Sequence, residues 1–254
     1  GVVVAALHPF YTASVREFEA AGRKVLGSAP VGHDGTEAWL QAVGKAASVP
    51  QAMIDAAKNK WLPAIKAALA RTPIRGRVTV SGYEGSELLV ARLLVESGAE
   101  VPYVGTACPK TPWSAPDLEW LTARGVRVQY RASLEQDIAA VREHRPDLAI
   151  GTTPVVQAAK EACVPALYFT NLISARPLIG PAGAGALARI VGGAIAGKSR
   201  FDAMTSFFEG VGHGDTAGVW NQAPDPERAT VVPLAAAKTG SDARQDTLKE
   251  AMGC

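Results

Sequence analysis

Residues 147–185 read DLAIGTTPVVQAAKEACVPALYFTNLISARPLIGPAGAG, and their order decides the fold. Leu148–Ile150 is a short apolar run closed by the small and polar Gly151-Thr152-Thr153-Pro154. Val155–Ala162 carries apolar residues at helical spacing, and Pro165–Phe169 is a second run of buried-strand type. A long loop rich in glycine and proline then leads into another helix. Strand, helix and strand in succession imply a parallel sheet, because parallel neighbours need a crossover to join them. Ligands of such sheets sit outside the carboxyl ends of the strands. Thr152, Thr153 and Asn171 are therefore expected on a functional rim.

The same alternation extends upstream. RVTVSG from Arg77 reads as a strand, Tyr83-Glu84-Gly85-Ser86 as a loop and ELLVARLLVESG as a helix. EVPYVGTA from Glu100 is the next strand, CPKTPWSAPD an irregular loop, and a short helix ends at Arg124-Gly125. VRVQYRA follows as a strand, and Ser133 with Gln136 forms a capping-box pattern ahead of DIAAVREH. The expectation is an α/β, Rossmann-like parallel sheet of five strands flanked by helices, over roughly residues 74–200. Before it, GVVVAAL and Lys24–Ala29 read as strands, Ser14 as the cap of the helix VREFEAAGRKV, and Val31–Gly35 as a glycine-rich turn. Thr36–Ala47 and Pro50–Ala70 read as helices, the second with an apolar stripe of Ile54, Trp61, Leu62, Ile65 and Leu69. Thr72-Pro73 and Arg75-Gly76 place a domain boundary near residue 73. Residues 201–254 are expected to be a helix followed by a flexible polar tail.

Composition excludes several classes. Of 254 residues, 48% are hydrophobic and 20% charged, which suits a globular core, and a net charge of +2 argues against nucleic acid or a membrane surface. Cys108, Cys163 and Cys254 are too scattered for a disulfide framework or a zinc site and suit a reducing cytoplasm. The most apolar stretch, Ala182–Gly197, is short, glycine-rich and interrupted by Arg189, so no membrane span is expected. The chain begins at Gly1 inside an apolar run, and we expect an N-terminally truncated fragment.

Two nucleotide motifs match in letters only. Gly192–Ser199 fits G-x-x-x-x-G-K-S, but the residues before it continue a helix and little sheet-forming sequence follows. A glycine-broken helix with Lys198 near its C-terminus fits better. Gly183–Ala188 fits G-x-G-x-x-A, yet it follows a long loop instead of a tight turn and reads as small residues at a helix contact.

The expected rim carries Gly82, Tyr83, Glu84, Gly105, Thr106, Cys108, Arg131, Thr152, Thr153, Asn171 and Arg176, with His8, Phe10 and Tyr11 from the first strand's end. Small residues, hydroxyls and amides with few charges suit a large, mostly apolar ligand or a protein partner. Glu84 is either a proton donor raised by burial or an ordinary acid in a helix's first turn. His8 is a proton carrier or axial ligand, or a hydrogen-bonded loop histidine. Cys163 reads as a buried small hydrophobe, and Cys108 as a reactive thiol or lone ligand in a flexible loop. Trp113 and Trp120 could stack on a flat ligand or pack.

HPFYTASVREFEAAGR, SAPVGHDGT, SGYEGSELLVARLLVESGAEVPYVGTACPKTPW, VQYRASLEQD and the 147–185 stretch together resemble the Y-type subunits of the nitrogenase-like chlorophyllide a reductases, relatives of dark-operative protochlorophyllide reductase, over about residues 1–220. The resemblance implies a nitrogenase component 1-like fold, with residues 1–73 ending one Rossmann-like domain and 74–200 forming the next. It implies a heterotetramer with a related Z subunit and an X-type ATP-hydrolysing iron protein, which holds the ATP-Mg. A [4Fe-4S] cluster would reduce the C7=C8 bond of ring B in chlorophyllide a, in bacteriochlorophyll biosynthesis. Its ligands are expected upstream, so this stretch carries no metal ligand and is not active alone. On the pigment side the expected residues are His8, Tyr11, Tyr83, Glu84, Thr153 and Asn171, with Glu84 and His8 as candidate proton donors. A non-catalytic tetrapyrrole-binding or cofactor-assembly scaffold and a nucleotide-sugar transferase domain are the alternatives.

Overall fold

The computed structural model of the chain describes residues 3–5, 12–174 and 176–207, with side chains as far as Ala203. His8, Phe10, Tyr11, Cys254 and the expected tail from residue 208 lie outside the described residues. The described residues up to Met204 belong to one compact unit, and the last turn of the final helix belongs to a second.

Five parallel strands form the central sheet: β3 (Arg77–Gly82), β4 (Glu100–Thr106), β5 (Arg127–Tyr130), β6 (Leu148–Gly151) and β7 (Ala166–Tyr168), in the order β5-β4-β3-β6-β7. A separate parallel pair joins β1 (Val3–Ala5) to β2 (Lys24–Leu26). Strand β3 is buried on both faces. Val78 and Val80 enter a large apolar cluster, and Thr79 and Ser81 are buried on the other face. That second face is covered by α6 (Leu134–His144) and α7 (Thr153–Glu161), where Val141, Ala149, Val155 and Ala159 make a smaller cluster. The first face carries α4 (Glu87–Glu96), α5 (Ala115–Thr122) and α9 (Gly180–Ala196), with α2 (Gly32–Ala46) and α3 (Gln51–Arg71) outside them.

Helix α4 is buried from Glu87 through Leu94, as befits a helix apolar nearly all round and packed between a sheet and further helices. Each of its leucines contributes roughly 2 kcal/mol of burial. Glu87 and Arg92 are the charged exceptions inside that stretch, and the Arg92 guanidinium meets the Asp117 carboxylate in a buried ion pair. Ser28 Oγ donates to the same carboxylate at 3.0 Å, and the Trp120 ring lies 4.8 Å from the guanidinium. Trp120 is thus engaged in packing: Arg124 lies over its ring at 3.6 Å and its Nε1 donates to Asp34 at 3.0 Å.

Several boundaries differ from expectation. The glycine-rich Val31–Gly35 is the start of α2, not a turn before it. Its exposed amides are closed from outside: the Glu96 carboxylate accepts from His33 N and, at 3.1 Å, from Asp34 N. Gly32 has φ +68°, and a Cβ there would stand 2.3 Å from a Glu96 oxygen. Ser14 lies inside α1 (Thr12–Ala20), so it is not the cap. Part of the expected loop CPKTPWSAPD is helical, because a Thr111–Ser114 capping box starts a short 3-10 turn and α5 follows at Ala115. The expected loop after β7 begins with a further helix, α8 (Phe169–Ser174), whose Phe169 and Leu172 are buried one turn apart. Trp61 is 45% exposed and, with Trp39 and Leu40, lines an open apolar cavity of about 400 Å³. The capping box at Ser133 and Gln136 is present in both directions, at 3.3 and 2.9 Å.

Both nucleotide-motif matches lie in helix. Gly183–Ala188 is inside α9, and Gly192–Ser199 runs from α9 into α10 (Lys198–Phe207). Lys198 therefore begins a helix instead of ending one, and its Nζ pairs with Asp147 at 2.9 Å. No helix among the described residues is long and apolar enough to cross a membrane.

Candidate functional site

Strand β3 stands at the switch point of the sheet, since the chain leaves it toward β4 on one side and reaches β6 on the other. Sheets of this kind bind ligands in a crevice beyond the carboxyl end of such a strand, which the loop 82–86 and the β6–α7 turn flank here. The loop owes its shape to Glu87, the first residue of α4, which is fully buried. Its carboxylate accepts from the backbone N–H of Glu84 at 2.7 Å, from Gly85 N–H at 2.9 Å and from Thr106 Oγ1 on β4 at 2.9 Å. Gly85 has φ +88°, and a Cβ on Gly82 would lie 2.5 Å from Glu87 Oε1, so both glycines are dictated by the turn over this carboxylate. Burial raises the pKa of Glu87 against the opposing pull of its hydrogen bonds.

Held this way, the loop turns Tyr83 outward, 56% exposed, and carries Glu84 across the crevice. There Thr170 Oγ1, on α8, donates to Glu84 Oε1 at 2.6 Å. Glu84 is half-buried and precedes α4, so the first-turn acid of that helix is Glu87 instead. A cavity of about 340 Å³ beside it is lined by Glu84, Ser86, Leu89 and Arg176 among others, and Arg176 also borders a cavity of about 230 Å³ with Asn171 and Tyr168. The Arg176 guanidinium donates to the Asn171 carbonyl at 3.4 Å and has no carboxylate partner among the described residues.

Beneath the rim lies a second buried acid. Tyr103 on β4 donates to Asp137 Oδ1 on α6 at 2.8 Å, and a Cβ on Gly105 would stand 2.0 Å from that oxygen. Burial holds the Asp137 carboxyl up at about 6, aided by the nearby charge of Glu87. Neither Glu87 nor Asp137 stands out in the sequence. Each is an acid in the first turn of a helix, the commonest solvated position for one.

The expected residues are distributed as follows. Tyr83 and Glu84 share the loop after β3, Thr153 opens α7 on the neighbouring turn, and Asn171 is exposed on α8, all at the carboxyl edge. The structure joins Glu84 to α8 through Thr170. No hydrogen bond among the described residues links Thr153 to them. His8 and Tyr11 lie outside the described residues.

The cysteines reverse their expected roles. Cys108 is buried, its N–H bonded to Thr106 Oγ1 at 3.2 Å, and burial pushes its thiol pKa up, away from reactivity. Cys163 is exposed, because it occupies the left-handed position after α7 at φ 58°, with Val164 N–H closing on Ala159 at 2.8 Å. The two sit at opposite edges of the sheet, and no group of three or more His, Cys, Asp or Glu among the described residues could hold a metal. The described residues do not fit an iron–sulfur cluster.

Comparison with known proteins agrees with this architecture. The family model of nitrogenase component 1 type oxidoreductases matches residues 2–195. The chain is 66% identical over 223 residues to the chlorophyllide reductase 52.5 kDa chain of Cereibacter sphaeroides, covering 88% of this chain and 44% of that one. The corresponding chain of Rhodobacter capsulatus is 66% identical over 222 residues, with 87% and 45% covered. Light-independent protochlorophyllide reductase subunit N of a Synechococcus strain is 28% identical over 155 residues, covering 59% of this chain and 37% of its own. Among solved structures, nitrogenase Cp1 at pH 6.5 superposes with a TM-score of 0.57 at 19% identity, over 78% of this chain and 46% of that one, a likeness of fold. The chain spans a little under half the length of the chlorophyllide reductase chains it matches.

Proposed function

The chain belongs to the nitrogenase component 1 type oxidoreductases, and on that premise we propose that it is part of the catalytic component of a chlorophyllide a reductase. The identity of 66% across 88% of the chain is the observation that carries this reading. In the proposed assembly, working in the cytoplasm, a related Z subunit pairs with the full-length subunit as a heterotetramer. An ATP-hydrolysing iron protein would supply the electrons, and a [4Fe-4S] cluster held elsewhere in the assembly would supply the redox chemistry for reducing the C7=C8 bond of ring B. Residues 74–200 are the complete Rossmann-like domain of this portion, and residues 1–73 end the one before it.

The part of this chain is to shape the pigment side of the site. Tyr83, Glu84, Thr153 and Asn171 line it, with His8 and Tyr11 from the preceding segment, and Glu84 and His8 are the candidate proton donors. A rim of small residues, hydroxyls and a few charges supports an apolar macrocycle over a phosphate, and the helical setting of both glycine motifs supports leaving nucleotide to the iron protein. The cysteines described here do not fit a cluster, so its ligands would come from other parts of the assembly.

The test is anaerobic turnover by the full-length subunit with its partner and iron protein, followed by pigment absorption. Consumption of chlorophyllide a that needs ATP and all components is expected. Absence of pigment binding, with tight binding of a nucleotide sugar instead, would sink the reading. The chain alone, reconstituted with iron and sulfide, is expected to show no stoichiometric [4Fe-4S] spectrum.

A further inference from the structure

A carboxylate in a helix's first turn normally stays in water, where the helix dipole rewards it by about 0.3–1 kcal/mol. Glu87 is instead fully buried, and taking a carboxylate out of water costs several times that unless strong hydrogen bonds offset it. The bonds it makes reach the loop: the N–H groups of Glu84 and Gly85, three and two residues before it, and Thr106 on the next strand. All three donors are neutral. Nothing in this arrangement is needed to start α4, which a half-exposed serine or aspartate cap would do. What it secures is the path of residues 83–85, and with it the reach of Glu84 to Thr170 on α8 at 2.6 Å.

We infer that Glu87 is a positioning residue, which fixes the 83–85 loop so that Glu84 is held across the crevice, facing whatever occupies the rim. That the occupant is pigment rests on the function proposed above; the grip of Glu87 on the loop does not. Two neighbours sharpen the design. Gly82 leaves room for the carboxylate, and Thr106 ties it to β4 while accepting from Cys108 N–H, so loop, strand and α4 are joined through one carboxylate.

The experiment compares Glu87→Gln, Glu84→Gln and the double variant in the assembled reductase. Glutamine keeps the volume but offers one acceptor oxygen where two are used, so amide exchange at Glu84 and Gly85 should speed up about tenfold. The kcat/KM for chlorophyllide a should fall about tenfold in each single variant, and the double should fall no further than Glu84→Gln alone. Non-additivity is the signature of action through Glu84, which a merely structural residue would not show. Thr106→Val, removing only the side-chain bond, should move exchange and turnover the same way by a smaller factor and serves if Glu87→Gln does not fold. Losses that multiply, a silent Glu84→Gln beside a damaged Glu87→Gln, or unchanged amide exchange would each overturn the inference. If the wild-type complex leaves the pigment unreduced, the function falls, and the exchange arm still decides whether Glu87 holds the loop.

Discussion

The two ends of α4 solve the same problem with opposite surroundings. At each end a glutamate gives its carboxylate to two backbone N–H groups of another segment: Glu87 to Glu84 and Gly85, Glu96 to His33 and Asp34. In each case burial raises the carboxyl pKa. The N-terminal end suits Glu87, since the dipole of its own helix favours an anion there. The same dipole disfavours Glu96 at the C-terminal end, and the compensation comes from a second helix, because Glu96 sits at the N-terminus of α2. Glu87 is fully enclosed beside another buried acid, Asp137, whereas Glu96 is half-buried, borders a cavity of about 450 Å³ and has Arg92 nearby to lower its pKa. One end binds the loop that precedes its own helix; the other ties α4 to α2.

Removing the enclosed carboxylate should cost most. Glu87→Ala strands two loop amides and opens a cavity, and denaturant unfolding should report a loss of about 3 kcal/mol. A loss below that of Glu96→Ala would erase the distinction between the two ends. The acid company of Glu87 should show next, as a pH dependence. The Asp137 carboxyl stands at about 6 in the folded protein against 3.8 for a free aspartate. The native state therefore keeps a proton that the unfolded chain has released, and stability falls as pH rises from about 4 to 6. That decline should amount to about 2 kcal/mol, and Asp137→Asn should flatten it. A slope of the other sign would remove the raised acid from the picture. The smallest change is expected at the other end, where Glu96→Ala takes away the cap of α2 at about 1 kcal/mol. Gly32→Ala should be milder on that background than in the wild type, because the oxygen 2.3 Å from its new Cβ is gone and only the φ of +68° remains to strain it.

The contrast also explains what could be read in advance. The alternation of strands and helices from Arg77 to Phe169, the capping box at Ser133 and Gln136 and the helical character of both glycine motifs are set by neighbours in the chain, and periodicity and caps record them. The start of α2 is set by Glu96, more than sixty positions away, so Val31–Gly35 reads in the sequence as a glycine-rich turn. Glu87 was hidden for a related reason: a first-turn acid has one sequence signature whether water or a β-strand covers it. Cys163 and Trp61 misled in the other direction. The apolar preference of a residue type does not reveal that its backbone must take the left-handed position after a helix, or that its helix face ends at an open cavity. The positions of Tyr83, Glu84, Thr153 and Asn171 at one edge followed from topology alone, whereas the bond from Thr170 to Glu84 needed coordinates.

The strand order β5-β4-β3-β6-β7 has a consequence in time as well as in space. Of these five strands, the central one is the first to be synthesised. β4 and then β5 add outward on one flank, and β6 and then β7 on the other, so no strand must ever be inserted between two already paired. A chain emerging from the ribosome can therefore keep each completed layer and extend it, with only the outermost edges open to mispairing while the rest is still being made.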